Sequence, residues 1–194
     1  MKMVKTSLVS LVLVMSVAVW VFGQIPPRTV TEFYLTLPSS INGIEGTQDA
    51  EIRGFEDDFF FYSNERNESD ASIHRYRKSL IKVEDIKNGY LRLESSDWKG
   101  WVEVALFKKA DGSNLVAISQ VRCSPTCTGG ILLTTYKNGR SRNVTAQVFP
   151  DSSAAAGYYK LPRVGTSISL VCDSCSQGNR STEFQWNKER FIKK

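Results

Sequence analysis

Two short cysteine pairs are the first residues whose spacing could do chemistry. "CSPTC" places Cys123 and Cys127 four positions apart, and "CDSC" places Cys172 and Cys175 three apart. Four sulfurs at C-x3-C and C-x2-C spacing could hold zinc or copper(I). A C-x-x-C pair could also trade electrons, if it capped a helix after a strand. In an oxidising compartment the same pairs become disulfides. Four cysteines allow three connectivities. Sequence neighbours favour Cys123–Cys127 and Cys172–Cys175, with cross-pairing of the two clusters as the alternative. The polar stretch "SQGNRST" after Cys175 reads as loop, which weakens the redox reading. The single histidine, His74, sits in a polar run and is a poor metal ligand candidate. Staples are therefore expected, with no metal and no other cofactor.

The next cluster is aromatic and acidic. In "SSDWKGWVEV", Trp98 and Trp101 lie close together, and Glu103 shares a strand face with Trp101. Indole rings beside a carboxylate can stack on a sugar ring or hold a cationic group. The plainer reading is a hydrophobic core with one carboxylate paired to an arginine. A saccharide-acting enzyme would pair Glu103 with a second acid, Asp97 or Glu94, across a cleft. Other catalysis finds little footing. A serine triad needs a histidine base in a nucleophile context, and neither a zinc-protease motif, nor a nucleophile elbow, P-loop or dinucleotide fingerprint occurs.

The amino terminus bears on the compartment. Lys2 and Lys5 precede an apolar run from Leu8 to Phe22, and Val21 and Gly23 suit a cleavage site. This is the pattern of a secretory signal peptide over residues 1–23, leaving 24–194 as one domain. The run is shorter than the roughly 20 apolar residues of a span, so no stable membrane span is expected after cleavage. The formal net charge of +5 includes the two leader lysines. The remaining excess is mild, and clusters such as "HRYRKS" (74–79), Lys108-Lys109 and "KERFIKK" read as solvated faces. Nucleic acid is not an expected partner, and a weak attraction to anionic envelope polymers is the most this charge supports. Three sequons, at Asn67, Asn143 and Asn179, would matter only in a eukaryotic secretory pathway.

These residues need elements to position them, and the clearest organisation runs through 79–172. "GYLRLES" (89–95) alternates, and "WVEVALF" (101–107) is apolar on both faces, as a central strand should be. "NLVAISQVRC" (114–123), "GGILLTTY" (129–136), "RNVTAQVF" (142–149) and "GTSISLVC" (165–172) continue the β pattern. Asn88-Gly89, Asp111-Gly112, Asn138-Gly139 and Asn187-Lys188 are tight-turn dipeptides or can act as them. Upstream, Thr29 and Glu32 form a capping box before Val30, Phe33, Tyr34 and Leu37 at helical spacing. A strand over the same residues is the alternative. "SDASIHRYRKSL" (69–80) predicts a second helix, "DDFFFYS" (57–63) either type, and "DSSAAAG" (151–157) a linker. The expected fold is mainly β: an antiparallel meander forming a barrel or a strongly bent sheet, with one or two short N-terminal helices.

The phrases "NGYLRLES", "WKGWVEVALFKKADGS", "SQVRCSPTC" and "YYKLPRVGTSI" together resemble a set of uncharacterised short exported bacterial proteins. These share an NGYL…WxGWxExALF…CxPxC…LPRxGT pattern over roughly residues 79–170. The resemblance implies a periplasmic or secreted bacterial protein and implies no activity. A site shared by the set would be sought at Trp101, Glu103, the Cys123/Cys127 loop and Arg163. Taken together, the sequence points to an exported, non-enzymatic β-domain of the cell envelope. Its partner would be an envelope component or a small apolar or saccharide ligand, with Trp98, Trp101, Glu103 and Arg163 as possible binding residues. The alternatives are the two-carboxylate enzyme and a cysteine-based metal or redox protein.

Overall fold

The computed structural model describes residues 27–38, 44–45, 70–94, 99–150, 157–172 and 180–194. The signal-peptide segment, the stretch 57–63, Trp98, Cys175 and the sequons at Asn67 and Asn179 lie outside them.

Helix α1 (Val30–Leu35) begins as its sequence dictates. The Thr29 side chain accepts from the Glu32 N–H, and the Glu32 carboxylate accepts from the Thr29 N–H. Such a reciprocal cap is worth about 1 kcal/mol. Val30, Phe33, Tyr34 and Leu37 are buried, as helical spacing requires. Helix α2 (Asp70–Ser79) follows.

Six strands then run as an antiparallel meander: β1 (Ile81–Asp85), β2 (Tyr90–Leu93), β3 (Gly100–Lys108), β4 (Asn114–Cys123), β5 (Cys127–Lys137) and β6 (Arg140–Asn143). A short helix α3 (Thr145–Val148) leads to a second antiparallel sheet. Its strands are β7 (Tyr158–Lys160), β8 (Ser167–Cys172), β9 (Arg180–Trp186) and β10 (Phe191–Lys193), in the order β10-β9-β8-β7. Both sheets are open, so no barrel closes; the strands divide between two antiparallel sheets. No helix among the described residues is long and apolar enough to cross a membrane.

The alternation of β3 explains the layering. Val102 and Val104 face one core with Leu91, Leu93, Val116, Ile118 and Leu132, covered by Val30, Phe33 and Tyr34 of α1. Ala105 and Phe107 face a second core with Leu115, Ile131 and Leu133, covered by Tyr159, Ile168, Phe184, Trp186 and Phe191 of the second sheet. The centre of the first sheet is thus a middle layer, covered on both faces. The second core is rich in edge-to-face aromatic pairs, such as Phe107–Phe191 at 5.1 Å and Phe149–Tyr159 at 5.5 Å. Each pair adds about 0.5–1.5 kcal/mol beyond burial.

The turn dipeptides work as their chemistry demands. Gly89, Gly112, Asn138, Gly139 and Lys188 all adopt positive φ. Two expectations are corrected. The strand expected over 142–149 ends at Asn143, because the Asn143 side-chain oxygen accepts from both the N–H and the hydroxyl of Thr145. The Thr145 hydroxyl oxygen accepts from the Leu133 N–H, so the chain turns inward and delivers Val144 and Phe149 to the second core. The basic run 74–79 is not wholly a solvated face either. His74 is exposed, but Arg77 is buried, and its guanidinium donates to the carbonyls of Leu37 at 2.6 Å and Pro38 at 2.8 Å. Buried and part-buried carbonyls of the segment leaving α1 need donors, and Arg77 supplies them here.

Candidate functional site

Strand β3 fixes where its chemistry-bearing side chains point. Trp101 and Glu103, two residues apart, share the face turned toward the second sheet with Ala105 and Phe107. Alongside runs the segment 157–163, which zips onto the first sheet at successive points. The Gly129 N–H donates to the Gly157 carbonyl at 2.9 Å. The Tyr158 ring meets Trp101 edge-on at 5.6 Å. The Ser119 hydroxyl donates to the Tyr159 carbonyl. The Leu161 N–H donates to Glu103 at 2.7 Å, and Arg163 pairs with Asp85 at 2.8 Å. The candidate positions Trp101, Glu103 and Arg163 therefore lie along one inter-sheet seam, with Glu103 in the middle.

Glu103 is only 2% exposed. Its Oε1 accepts from the Tyr90 hydroxyl at 2.9 Å and its Oε2 from the Leu161 N–H. Burial pushes its carboxyl above the ordinary value, while the Leu161 and Tyr90 hydrogen bonds, Arg92 and Lys160 pull the other way. Burial, and then the Glu103 charge and hydrogen bond, push the Tyr90 hydroxyl upward as well. This carboxylate is engaged by the protein on both oxygens. It orients the Leu161 segment and presents no open face to a glycosidic oxygen.

Trp101 is half-buried, with the Arg92 guanidinium 4.7 Å from its ring centre. Arg92 is itself fixed by a 2.7 Å bond to Glu94, so this second acid is already committed to a cation. The Trp101 indole N–H is buried without a hydrogen-bond partner. The cation over this indole is thus the chain's own arginine. Arg92, Trp101 and Tyr158 form a partly exposed platform toward the cysteine end of the seam.

At the other end, Arg163 is 61% exposed on its side chain. Its hydrogen bond, and then that of the Asn88 side chain, hold the Asp85 carboxyl well down, to about 2. The first cysteine pair resolves in favour of sequence neighbours. Cys123 and Cys127 face each other across β4 and β5 with Cα atoms 3.9 Å apart and are joined as a disulfide. Cross-pairing of the two clusters is therefore excluded. Cys172 is disulfide-bonded too. No group of three or more His, Cys, Asp or Glu among the described residues is placed to hold a metal.

Sequence reasoning missed Tyr90, Asp85, Arg92 and Arg77. Tyr90 and Arg92 could be found only once the β2–β3 register, which sets Arg92 opposite Glu103, is known, and Asp85 only once Arg163 is placed beside it. Arg77 has no sequence signal, since its partners are main-chain carbonyls.

No protein-family model matches the chain, and no curated protein matches it. Among solved structures, a domain of an uncharacterized protein from Porphyromonas gingivalis W83 is similar at a TM-score of 0.48 and 9% identity. The match covers 87% of this chain and 99% of that one, and at this score the likeness carries no argument about function.

Proposed function

We propose that the chain is an exported β-domain that binds a partner and converts no substrate, with the Arg92–Trp101–Tyr158 platform as the surface that meets a small apolar or saccharide ligand. One observation carries this reading: the platform reaches solvent while the carboxylate beside it is sealed under Tyr90 and Leu161. Aromatic rings in such a setting offer stacking area to a sugar or an apolar ring. The apolar run at 8–22 behind Lys2 and Lys5, and cysteines spent in disulfides, support export. A two-carboxylate enzyme needs Glu103 open to its substrate, and thiolate binding of a metal needs free thiols.

The test has two arms. Cell fractionation with mass measurement of the mature N-terminus addresses export; a chain retaining residues 1–23 in the cytoplasm ends that part. Titration of intrinsic fluorescence with envelope saccharide fragments and apolar ligands addresses binding. A saturable shift, lost in Arg92→Ala with the fold intact, supports the platform. A flat response to both ligand classes removes it.

A further inference from the structure

The antiparallel order of both sheets puts their turns at two opposite ends. The β1–β2, β3–β4, β7–β8 and β9–β10 connections meet at one end. Arg163 ties the β7–β8 connection to Asp85 beside the β1–β2 turn. The Ala110 N–H donates to the Lys188 carbonyl at 3.1 Å, tying the β3–β4 turn to the β9–β10 turn. These four connections carry the cations Lys87, Lys108, Lys109, Arg163, Lys188 and Arg190 against the acids Asp85, Asp111 and Glu189. Two of the three acids are already paired, Asp85 with Arg163 and Asp111 with Lys109 at 3.6 Å. The β5–β6 turn, at the same end of the first sheet, adds Lys137 and Arg140, both exposed.

Two aliphatic side chains stand out of this basic surface. Ile86 is 56% exposed and Val164 75% exposed, the largest values among the exposed large hydrophobics. Each is the immediate chain neighbour of one member of the Asp85–Arg163 pair, so the ion pair brackets them at the tips of two clamped turns. Neither packs against either core.

We propose that this turn end docks on an anionic lipid surface, with Ile86 and Val164 entering the headgroup–acyl boundary and the surrounding cations meeting lipid phosphates. Charge alone would suit any anionic polymer. Isolated aliphatic tips ringed by cations gain free energy where an apolar layer lies just beneath a negative one. The Asp85–Arg163 clamp presents both tips without further ordering, so little freedom is lost on docking. This inference deepens the binding reading only for the end that carries Arg163, and leaves the platform around Trp101 aside.

Co-sedimentation with vesicles tests it, using the full gene product as the cell processes it. Vesicles of phosphatidylglycerol and phosphatidylcholine are compared with phosphatidylcholine alone, alongside polyphosphate as a soluble polyanion. The expected result is binding to the anionic vesicles only, weakened by salt. Ile86→Ser with Val164→Ser lowers vesicle affinity about tenfold. Lys87→Glu with Arg190→Glu abolishes it. All four side chains are exposed, and circular dichroism checks each variant for the fold. Comparison within one chain cancels any contribution from residues 8–22. No binding to anionic vesicles overturns the proposal. Vesicle binding that the Ile86/Val164 variant leaves unchanged also overturns it; with equal affinity for polyphosphate, that result assigns the end to a polyanion. Either failure leaves the fluorescence test of the Trp101 platform standing.

Discussion

The two ends of the sheets are closed by different physics. At the turn end, short reversals do the work, through residues of positive φ: Gly89 at φ 66°, Gly112 at 80°, Asn138 at 52° and Gly139 at 79°. The turns are then tied by single polar contacts, including the Trp186 indole donating to the Lys108 carbonyl at 2.8 Å. At the cysteine end, the chain is closed by a covalent bond and by close backbone approach. A Cβ on Gly100 would lie 2.0 Å from the Val121 oxygen, and one on Gly129 would lie 2.0 Å from the Gln120 oxygen. A Cβ on Gly112 would meet nothing within 4 Å. At the turn end Gly112 has space for a side chain and is strict about its dihedral angle. At the cysteine end Gly100 and Gly129 have no room for one.

The sharpest way to break the comparison is therefore to exchange alanine for glycine at both ends. Gly129→Ala is expected to destabilise by about 3 kcal/mol or more, because main chain must move to relieve the overlap. Gly112→Ala should cost only about 1 kcal/mol, the penalty of the left-handed conformation. Urea denaturation measures both, and equal losses would erase the distinction. Next in size is the covalent closure. Cys123→Ser with Cys127→Ser should lose about 2 kcal/mol in the loop-entropy account of a five-residue ring. The loss is read as a lower denaturation midpoint at unchanged slope.

The pH response separates the two carboxylates of the seam by sign. Asp85 is held down to about 2 from an ordinary 3.8, so its contribution is fully present above 3.8 and disappears as pH falls through about 2. Glu103 is raised above an ordinary 4.5, so between 4.5 and its folded value stability declines as pH rises. Thermal melts across the acid range should show Asp85→Asn flattening the acid limb and Glu103→Gln flattening the opposing slope. Identical profiles for the two variants would contradict the assignment. The smallest expected effect is a gain. Lys188 sits at φ 79°, and Lys188→Gly should stabilise by roughly 0.5 kcal/mol, seen as a small rise in melting temperature.

Local chemistry made much of this fold legible. The capping box at Thr29 and Glu32, the turn dipeptides and the two apolar faces of β3 each encode their structure within a few residues. What escaped depends on distant partners. Strand β7 is three residues long and has no alternation to read; it exists because Tyr158, Tyr159 and Leu161 find contacts on β3 and β4. The turn after Asn143 depends on the Leu133 N–H ten residues upstream. Arg77 looks like its solvated neighbours until the carbonyls of Leu37 and Pro38 are placed beside it. The candidate site divides the same way. Trp101, Glu103 and Arg163 were recognisable as special. Their arrangement along a seam required the register of both sheets, and it recasts Glu103 as the anchor of the Leu161 segment.

The middle layer has a consequence for how the chain is made. Its first cover, α1, precedes the six strands in the sequence, but its second cover starts at Tyr158 and ends with Phe191. A ribosome or translocation channel releasing the chain from its amino terminus delivers the six strands before that cover has emerged. For that interval Tyr90, Phe107, Leu115, Ile131 and Leu133 have no partner layer, and the sheet carries a sticky apolar face. The chain is complete as a solid only when its last hairpin arrives, so the nascent protein needs either a companion or delayed folding until then.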